Sequence, residues 1–116
     1  MTTTQRRQKR RPLILYLQVL DAATGEELGR AVDLTAEGLR LVGQREIPVG
    51  SRHELRVLLP AGAAGAAELA VTAVCRWAGR DVNPDLAATG FLFENPTPTA
   101  RAIVQDLLRN LGFSGR

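Results

Sequence analysis

The sequence predicts a small antiparallel β-barrel followed by a single C-terminal helix. Two observations favour this fold class. Apolar and polar residues alternate through short segments separated by turn residues, which is typical of strands with one buried face. Near residue 97 the apolar residues change to the spacing of an amphipathic helix. At 116 residues, the chain has the size of one domain that buries its own core.

Six segments have the pattern of strands. They lie at 13–20, 28–34, 39–43, 53–60, 68–77 and 89–95. The first follows Pro12, whose missing donor suits the start of a strand, and a turn containing Gly25 ends it. The period of two is clearest in ELAVTAVCRW at 68–77, where the odd positions are apolar. On this pattern Trp77 faces the core, together with Phe91 and Phe93.

One helix is predicted at about 97–111. Thr97 is a suitable N-cap, Pro98 suits the first helical position, and Gly112 ends the pattern. Between these limits the apolar residues form one stripe: Ala100, Ile103, Val104, Leu107, Leu108 and Leu111. The connection AGAAGAA at 61–67 has low complexity, and we expect it to be mobile.

Positive charge is concentrated at the start of the chain. Residues 6–11 contain five basic residues, Arg6, Arg7, Lys9, Arg10 and Arg11, whereas the whole chain has a net charge of only +3. The rest of the chain therefore has a net negative charge. This distribution favours a local anion site or a localisation signal over a broad nucleic-acid surface. We divide the chain into a basic arm at 1–12 and a barrel with its helix at 13–116.

Two motifs follow one another in the sequence. The arm contains RxxxR in two registers, Arg6 with Arg10 and Arg7 with Arg11, and the second predicted turn contains DLTAEG at 33–38, a DxTxxG. This order resembles the PilZ domain, whose signature is RxxxR followed by (D/N)xSxxG. The resemblance extends to Val74 and Trp77, to GFLF at 90–93 and to the terminal helix.

The resemblance implies both a fold and a ligand. PilZ domains are six-stranded antiparallel β-barrels, mainly β, with one C-terminal α-helix, and they commonly bind cyclic di-GMP. The positions that match the motifs are Arg6, Arg7, Arg10, Arg11, Asp33, Thr35 and Gly38. We prefer the register of Arg7 and Arg11, because Arg11 then directly precedes the strand, although Arg6 and Arg10 could substitute. The implied protein is a bacterial, cytoplasmic receptor that signals to an unidentified effector protein by ordering its arm.

Chemistry gives a reason for each of these residue types. A guanidinium pairs bidentately with phosphate or with O6 and N7 of guanine, and its flat face stacks on a base. The carboxylate of Asp33 complements the N1–H and N2–H donors of guanine, which adenine lacks. Thr35 keeps the hydroxyl of the usual serine but adds a methyl group and a stiffer side chain. Gly38 permits a positive φ or a close approach to the ligand.

Other classes of function find little support in the sequence. Cys75 is the only cysteine, so an intramolecular disulfide is excluded, which fits a reducing compartment. His53 is the only histidine, and we predict neither a metal site nor a cofactor. The motifs of common hydrolases and nucleotide-hydrolysing enzymes are missing, so we predict that the chain is not an enzyme. No apolar segment has the roughly 18 residues of a membrane span.

Two alternatives remain open. The chain could be a PilZ-like interaction domain that binds no nucleotide and holds a partner with its helix or a barrel face. It could also be a small-barrel nucleic-acid binder whose basic arm follows a phosphate backbone. Only five aromatic residues are present and most are predicted to be internal, so a stacking surface is missing. We therefore predict no nucleic-acid partner.

Overall fold

The structure, a computed structural model, describes residues 17–61 and 63–110. This part of the chain contains six strands, one 3-10 turn and one helix. The elements are β1 (Leu17–Asp21), β2 (Glu27–Leu34), β3 (Gly38–Gly43), β4 (Arg52–Leu58), β5 (Glu68–Arg80), β6 (Ala87–Phe93) and α1 (Pro98–Asn110), with the 3-10 turn at Ala63–Gly65. Residues 13–16 of the first predicted strand and Leu111 of the predicted helix lie outside the described residues.

The six strands form a closed antiparallel barrel. Their order around the barrel is β1-β2-β3-β6-β5-β4, and β1 closes it by pairing with both β2 and β4. The predicted fold class is therefore confirmed. The predicted strands are recovered with small shifts at their ends, of which the largest is at β5, where the strand continues for three residues beyond Trp77.

Side chains that alternate along the strands fill the interior, and the helix closes one end. Leu41, Leu55 and Leu69 are among the largest fully buried side chains. The apolar stripe of α1 joins the same core through Ala100, Ile103, Val104 and Leu107. Thr97 caps this helix as predicted, because its Oγ1 accepts a hydrogen bond of 3.0 Å from the Ala100 amide.

The connection between β4 and β5 contains a short 3-10 turn. This turn, Ala63–Gly65, contacts α1. Ala63, Ala64 and Ala66 pack against the core. Their methyl groups are small enough to lie between the barrel and the helix, so the low-complexity composition here serves packing.

A β-bulge changes the alternation in β5. Cys75 lies opposite Phe91, but the next register pair is Trp77 with Gly90, so Arg76 is an extra residue. The prediction that Trp77 packs in the core is therefore wrong, and its side chain is 46% exposed. Phe91 and Phe93 are buried as predicted.

The strand register also fixes which features share one end of the barrel. β1 and β2 are antiparallel, with Leu17 opposite Ala31. The first described residue of the chain therefore lies at the end where β2 finishes and the 33–38 motif begins. In the described ranges, no helix is long and apolar enough to cross a membrane.

Candidate ligand-binding site

The predicted motif at 33–38 forms the connection between β2 and β3. The Thr35 amide donates to the Gly38 carbonyl at 2.9 Å, which closes the turn. The Thr35 hydroxyl accepts from the Glu37 amide at 3.2 Å and lies 3.4 Å from the Gly38 carbonyl oxygen, to which it donates. The Glu37 carbonyl accepts from the Phe93 amide at 2.8 Å, so the turn is also held against β6.

Asp33 lies at the mouth of this turn, opposite Arg40 on β3. A register shift after Ala31 precedes it. Its Oδ1 accepts a hydrogen bond of 3.0 Å from the Leu34 amide. Within residues 17–61 and 63–110, Oδ2 has no hydrogen-bond or ion-pair partner. One carboxylate oxygen thus orients the side chain, and the other can accept from a ligand.

Gly38 is required by packing against β6. A Cβ atom built on it would overlap the carbonyl oxygen of Phe91, which is a backbone atom and cannot move aside. Gly38 does not have a positive φ. Of the two predicted reasons for this glycine, close approach therefore applies, but to the neighbouring strand.

The motif residues line an open depression on the outside of the barrel, with a volume of about 370 Å³. Asp33, Thr35 and Gly38 lie on one side of it. Arg40 from β3, the Arg76-Trp77 pair from β5, Glu37 from the turn and residues of β6 line the remainder. The structure therefore brings together three of the residues predicted from the sequence with others that were not predicted as site residues, among them Arg40, Arg76 and Trp77. Arg6, Arg7, Arg10 and Arg11 lie outside the described residues.

Trp77 reaches the depression because of the bulge, and it lies over Gly90. A Cβ atom on Gly90 would overlap the indole Nε1 of Trp77, and the indole carbons Cε2 and Cδ1 lie 2.5 and 2.6 Å from that Cβ position. Only glycine at this position lets the ring lie against the backbone of β6. A glycine inside a predicted strand indicates such a close approach, so Gly90 was the signal in the sequence that could have found this site.

Two guanidinium groups border the same depression. Arg40 and Arg76 are both exposed. Neither forms an ion pair with any residue in the described part of the chain, whereas Arg52 pairs with Glu94 at 2.7 Å. The two carboxylates of Asp33 and Glu37, two cations without ion pairs in the described part of the chain and an indole face suit a ligand that has both an aromatic base and negative charge.

Comparison with known proteins agrees with this fold and this motif. The family model that matches the chain is the PilZ domain, over residues 5–110. The chain belongs to the PilZ domain family. PilZ domains are binding and adaptor domains. No curated protein matches the sequence of this chain.

A solved structure with the same fold is that of the Bacillus subtilis inhibitor of motility, MotI/DgrA. It superposes with a TM-score of 0.65 at 20% sequence identity, and the match covers 92% of this PilZ domain. It covers 52% of the other chain, so this chain spans about half the length of that protein. At this identity, the likeness concerns the fold.

A serine, a histidine and an aspartate also meet in this PilZ domain, outside the depression. His53 Nε2 lies 2.9 Å from Ser51 Oγ, and His53 Nδ1 lies 3.6 Å from Asp21 Oδ2. The Ser51 hydroxyl donates its only hydrogen to the Pro48 carbonyl at 2.6 Å. His53 must then donate to Ser51, which is the reverse of a general base. The three side chains therefore hold the start of β4 in place.

Cys75 is the remaining candidate nucleophile, and its surroundings make it inert. Its side chain is fully buried in the core. Burial raises the pKa of the Cys75 thiol, because the thiolate would lose its hydration. The thiol contacts the carbonyls of Ile47 and Trp77 at 3.7 and 3.6 Å.

Among the described residues, no cluster of three His, Cys, Asp or Glu side chains could hold a metal ion.

Proposed function

We propose that this PilZ domain is a receptor for cyclic di-GMP, and that it relays the level of this second messenger to a partner protein. One observation supports this above the others. The Asp33 carboxylate, the exposed Trp77 ring and two guanidinium groups without ion-pair partners among the described residues line a single depression. This set of groups complements a ligand that combines guanine bases with phosphates.

Guanine recognition is assigned to the Asp33 side of the depression. Since Oδ1 is held by the Leu34 amide, Oδ2 is oriented to accept from N1–H or N2–H of a guanine. The faces of Trp77 and the Arg76 guanidinium offer stacking surfaces for a base. Adenine has no N2–H donor, so this arrangement favours cyclic di-GMP over cyclic di-AMP.

Phosphate recognition is assigned to the arm, through Arg7 and Arg11 or through Arg6 and Arg10. Arg11 precedes Leu17 by six residues, and six extended residues span at most about 20 Å. Leu17 itself lies at the same end of the barrel as the 33–38 turn. The length of the chain therefore allows the arm to reach a ligand that Asp33 also contacts.

The proposed output is a change in the arm. Five neighbouring positive charges repel one another, and two ligand phosphates would reduce that repulsion. Ligand binding and ordering of the arm should then be coupled, while the closed barrel changes little. An effector protein would read the resulting surface. The proposal includes a cytoplasmic location and requires no catalysis, no further cofactor, no nucleic acid and no membrane insertion.

Calorimetric titration of the full chain tests the proposal directly. We expect cyclic di-GMP to bind and cyclic di-AMP to bind much more weakly. Arg11→Ala should lose about 1–3 kcal/mol of binding free energy, as for one bidentate contact. Arg109→Ala is the matched control, because Arg109 lies near the end of α1 and pairs with Asp106. If cyclic di-GMP at high micromolar protein gives no binding heat, the proposal is wrong.

Asp33→Ala separates recognition of the base from recognition of the phosphates. We expect this variant to bind cyclic di-GMP more weakly and to lose most of its preference over cyclic di-AMP. Paired substitutions, Arg6→Ala with Arg10→Ala against Arg7→Ala with Arg11→Ala, decide the register of RxxxR. An unchanged preference in Asp33→Ala would reject the role given to the carboxylate.

A nucleotide-free interaction domain is the second candidate, and one observation favours it. The Thr35 hydroxyl already has two partners inside its own turn, Glu37 and Gly38. It therefore has little remaining capacity for a ligand. This candidate predicts a partner that binds equally well with and without cyclic di-GMP and is insensitive to the arginine substitutions.

A further inference from the structure

Strand β5 is much longer than β4, the strand that pairs with one of its edges. β4 pairs with β5 from Glu68 to Val74, and the loop before β4 adds Cys75, whose amide donates to Ser51 and whose carbonyl accepts from Gly50. β6 continues to pair with β5 as far as Arg80. Among the strands of the described residues, only β6 therefore pairs with residues 76–80, and all five are exposed.

The hydrogen-bond pattern identifies which backbone groups point away from β6. The Asp81 amide donates to the Leu86 carbonyl at 3.0 Å, so Asp81 faces the hairpin partner. Because antiparallel strands alternate, Gly79 also faces β6, whereas Ala78 and Arg80 direct their N–H and C=O groups outward. Within residues 17–61 and 63–110, no backbone group bonds to them from that side.

This edge lacks most of the features that prevent strands from pairing. It contains no proline and no further bulge past Trp77, and Gly79 has open space around it. Its only protection is charge, from Arg76 and Arg80. Neither arginine forms an ion pair with any residue that the structure describes.

Charge decides which strand this edge can accept. A second copy that paired with Ala78 opposite Ala78 would set Arg76 against Arg80 and repel. The N-terminal arm of this chain has five basic residues, so it is equally unsuitable. An acidic strand would neutralise both arginines. Val49 lies in the loop that bonds to Cys75 and is 62% exposed, so it offers an apolar contact where such a strand would end.

We propose that residues 76–80 of β5 form a docking edge for an extended acidic segment of a partner protein, which adds to the sheet as a strand in line with β4. Outward-facing backbone groups of Ala78 and Arg80 supply the hydrogen bonds. The two arginines select an acidic sequence. This edge includes Arg76 and Trp77, which also line the candidate site, but the inference does not depend on nucleotide binding.

Selection from a random library tests the edge without knowledge of the partner. The full chain, without nucleotide, is presented to phage that display random 12-residue peptides, and enriched peptides are synthesised. We expect these peptides to be acidic and to bind the unmodified chain. They should bind Arg80→Glu about fivefold more weakly, the scale of a cross-strand charge pair. Arg109→Glu, on α1, is the charge-matched control and should bind normally.

Backbone pairing is tested separately from charge. Ala78→Pro removes an outward N–H and leaves the ladder to β6, and we expect it to weaken binding on the order of tenfold. In the unmodified chain, bound peptide should slow amide exchange at Ala78 and Arg80 but leave Gly79 unchanged. This second readout keeps the test valid if the proline variant misfolds. A selection that enriches no peptide, peptides without an acidic bias, or amides that exchange at the same rate would each overturn the inference.

Discussion

The two parts of strand β5 differ in almost every respect. From Glu68 to Cys75 the strand is paired with β4 and its preceding loop, and from Ala73 onward also with β6, and its side chains alternate between the core and the surface. From Arg76 to Arg80, β6 is the only strand in the described part of the chain that pairs with it, and all five residues are exposed. The first part builds the barrel, while the second supplies Arg76 and Trp77 to the candidate site. One extra residue in the strand separates the two roles.

This difference predicts where substitutions affect stability. Leu69 is 1% exposed in the enclosed part of β5. We expect Leu69→Ala to lower the free energy of unfolding by about 2–5 kcal/mol, because it leaves a cavity in the core. Arg80→Ala, past the bulge, should change it by about 0.5 kcal/mol or less. Urea unfolding followed by circular dichroism measures both, and similar losses would contradict the division of the strand.

Glycines give a second test, of intermediate size. Gly38→Ala places a Cβ against the carbonyl of Phe91, and we expect a loss of about 1–3 kcal/mol in the free energy of unfolding. Gly79→Ala lies beyond the bulge, where a Cβ meets no atom within 4 Å. It should be neutral or stabilise slightly, since alanine reduces the entropy of the unfolded chain. A neutral Gly38→Ala would show that β6 can yield at this turn.

Sequence alone predicted well the strands and the helix that surround the core. Alternating residues such as Leu55 and Val57 identify strands because burial acts on every second side chain. Thr97 and Pro98 located the start of the helix, since capping is a local interaction. The motif at 33–38 was found by its order in the chain, and the structure adds that its polar groups close a turn.

The remainder of the site could not be predicted from periodicity. The extra residue Arg76 shifts the alternation of side chains along β5, and the residue types around it do not reveal the shift. Periodicity therefore assigned Trp77 to the buried face of the strand, which is wrong. Arg40 reaches the depression only through the register of β3 with β2 and β6. The placement of side chains predicted from the sequence differs from the structure at the candidate site. Such a difference is expected where residues are selected for function and not for packing.

Trp77 allows the comparison to be tested with the ligand. On the proposed function, Trp77→Ala should weaken cyclic di-GMP binding by about 1–3 kcal/mol, the scale of one base–aromatic stack, whereas Trp77→Phe should retain most of the affinity. Trp77 is the only tryptophan, so its fluorescence should also change on titration of the unmodified chain. If Trp77→Ala instead destabilised the fold as much as Leu69→Ala and bound ligand normally, the ring would have a packing role.

The smallest expected effect concerns charges on the outer surface of β4 and β5. Arg56 on β4 donates to Glu68 at the start of β5, from Nη2 at 2.7 Å and from Nε at 3.0 Å. This hydrogen bonding holds the pKa of Glu68 below its ordinary value. The carboxylate therefore stabilises the fold at neutral pH, and this contribution is lost as pH falls below about 4.3, through the lowered pKa. Past the bulge, Arg76 and Arg80 have no such partner among the described residues.

Glu68→Gln tests this contrast between paired and unpaired cations. We expect the variant to be slightly less stable than the unmodified chain at pH 7, and by a smaller amount at pH 3, because acidification favours the protonated carboxyl and weakens the pair. Glu46→Gln is the control, since Glu46 is exposed and forms no ion pair within the described ranges. Unfolding midpoints at both pH values measure the difference, and added salt should reduce it, because the pair is exposed to solvent. A difference in stability of the same size at pH 3 would mean that Glu68 acts through packing. The charge pair between Arg56 and Glu68 would then contribute nothing to the stability of the fold.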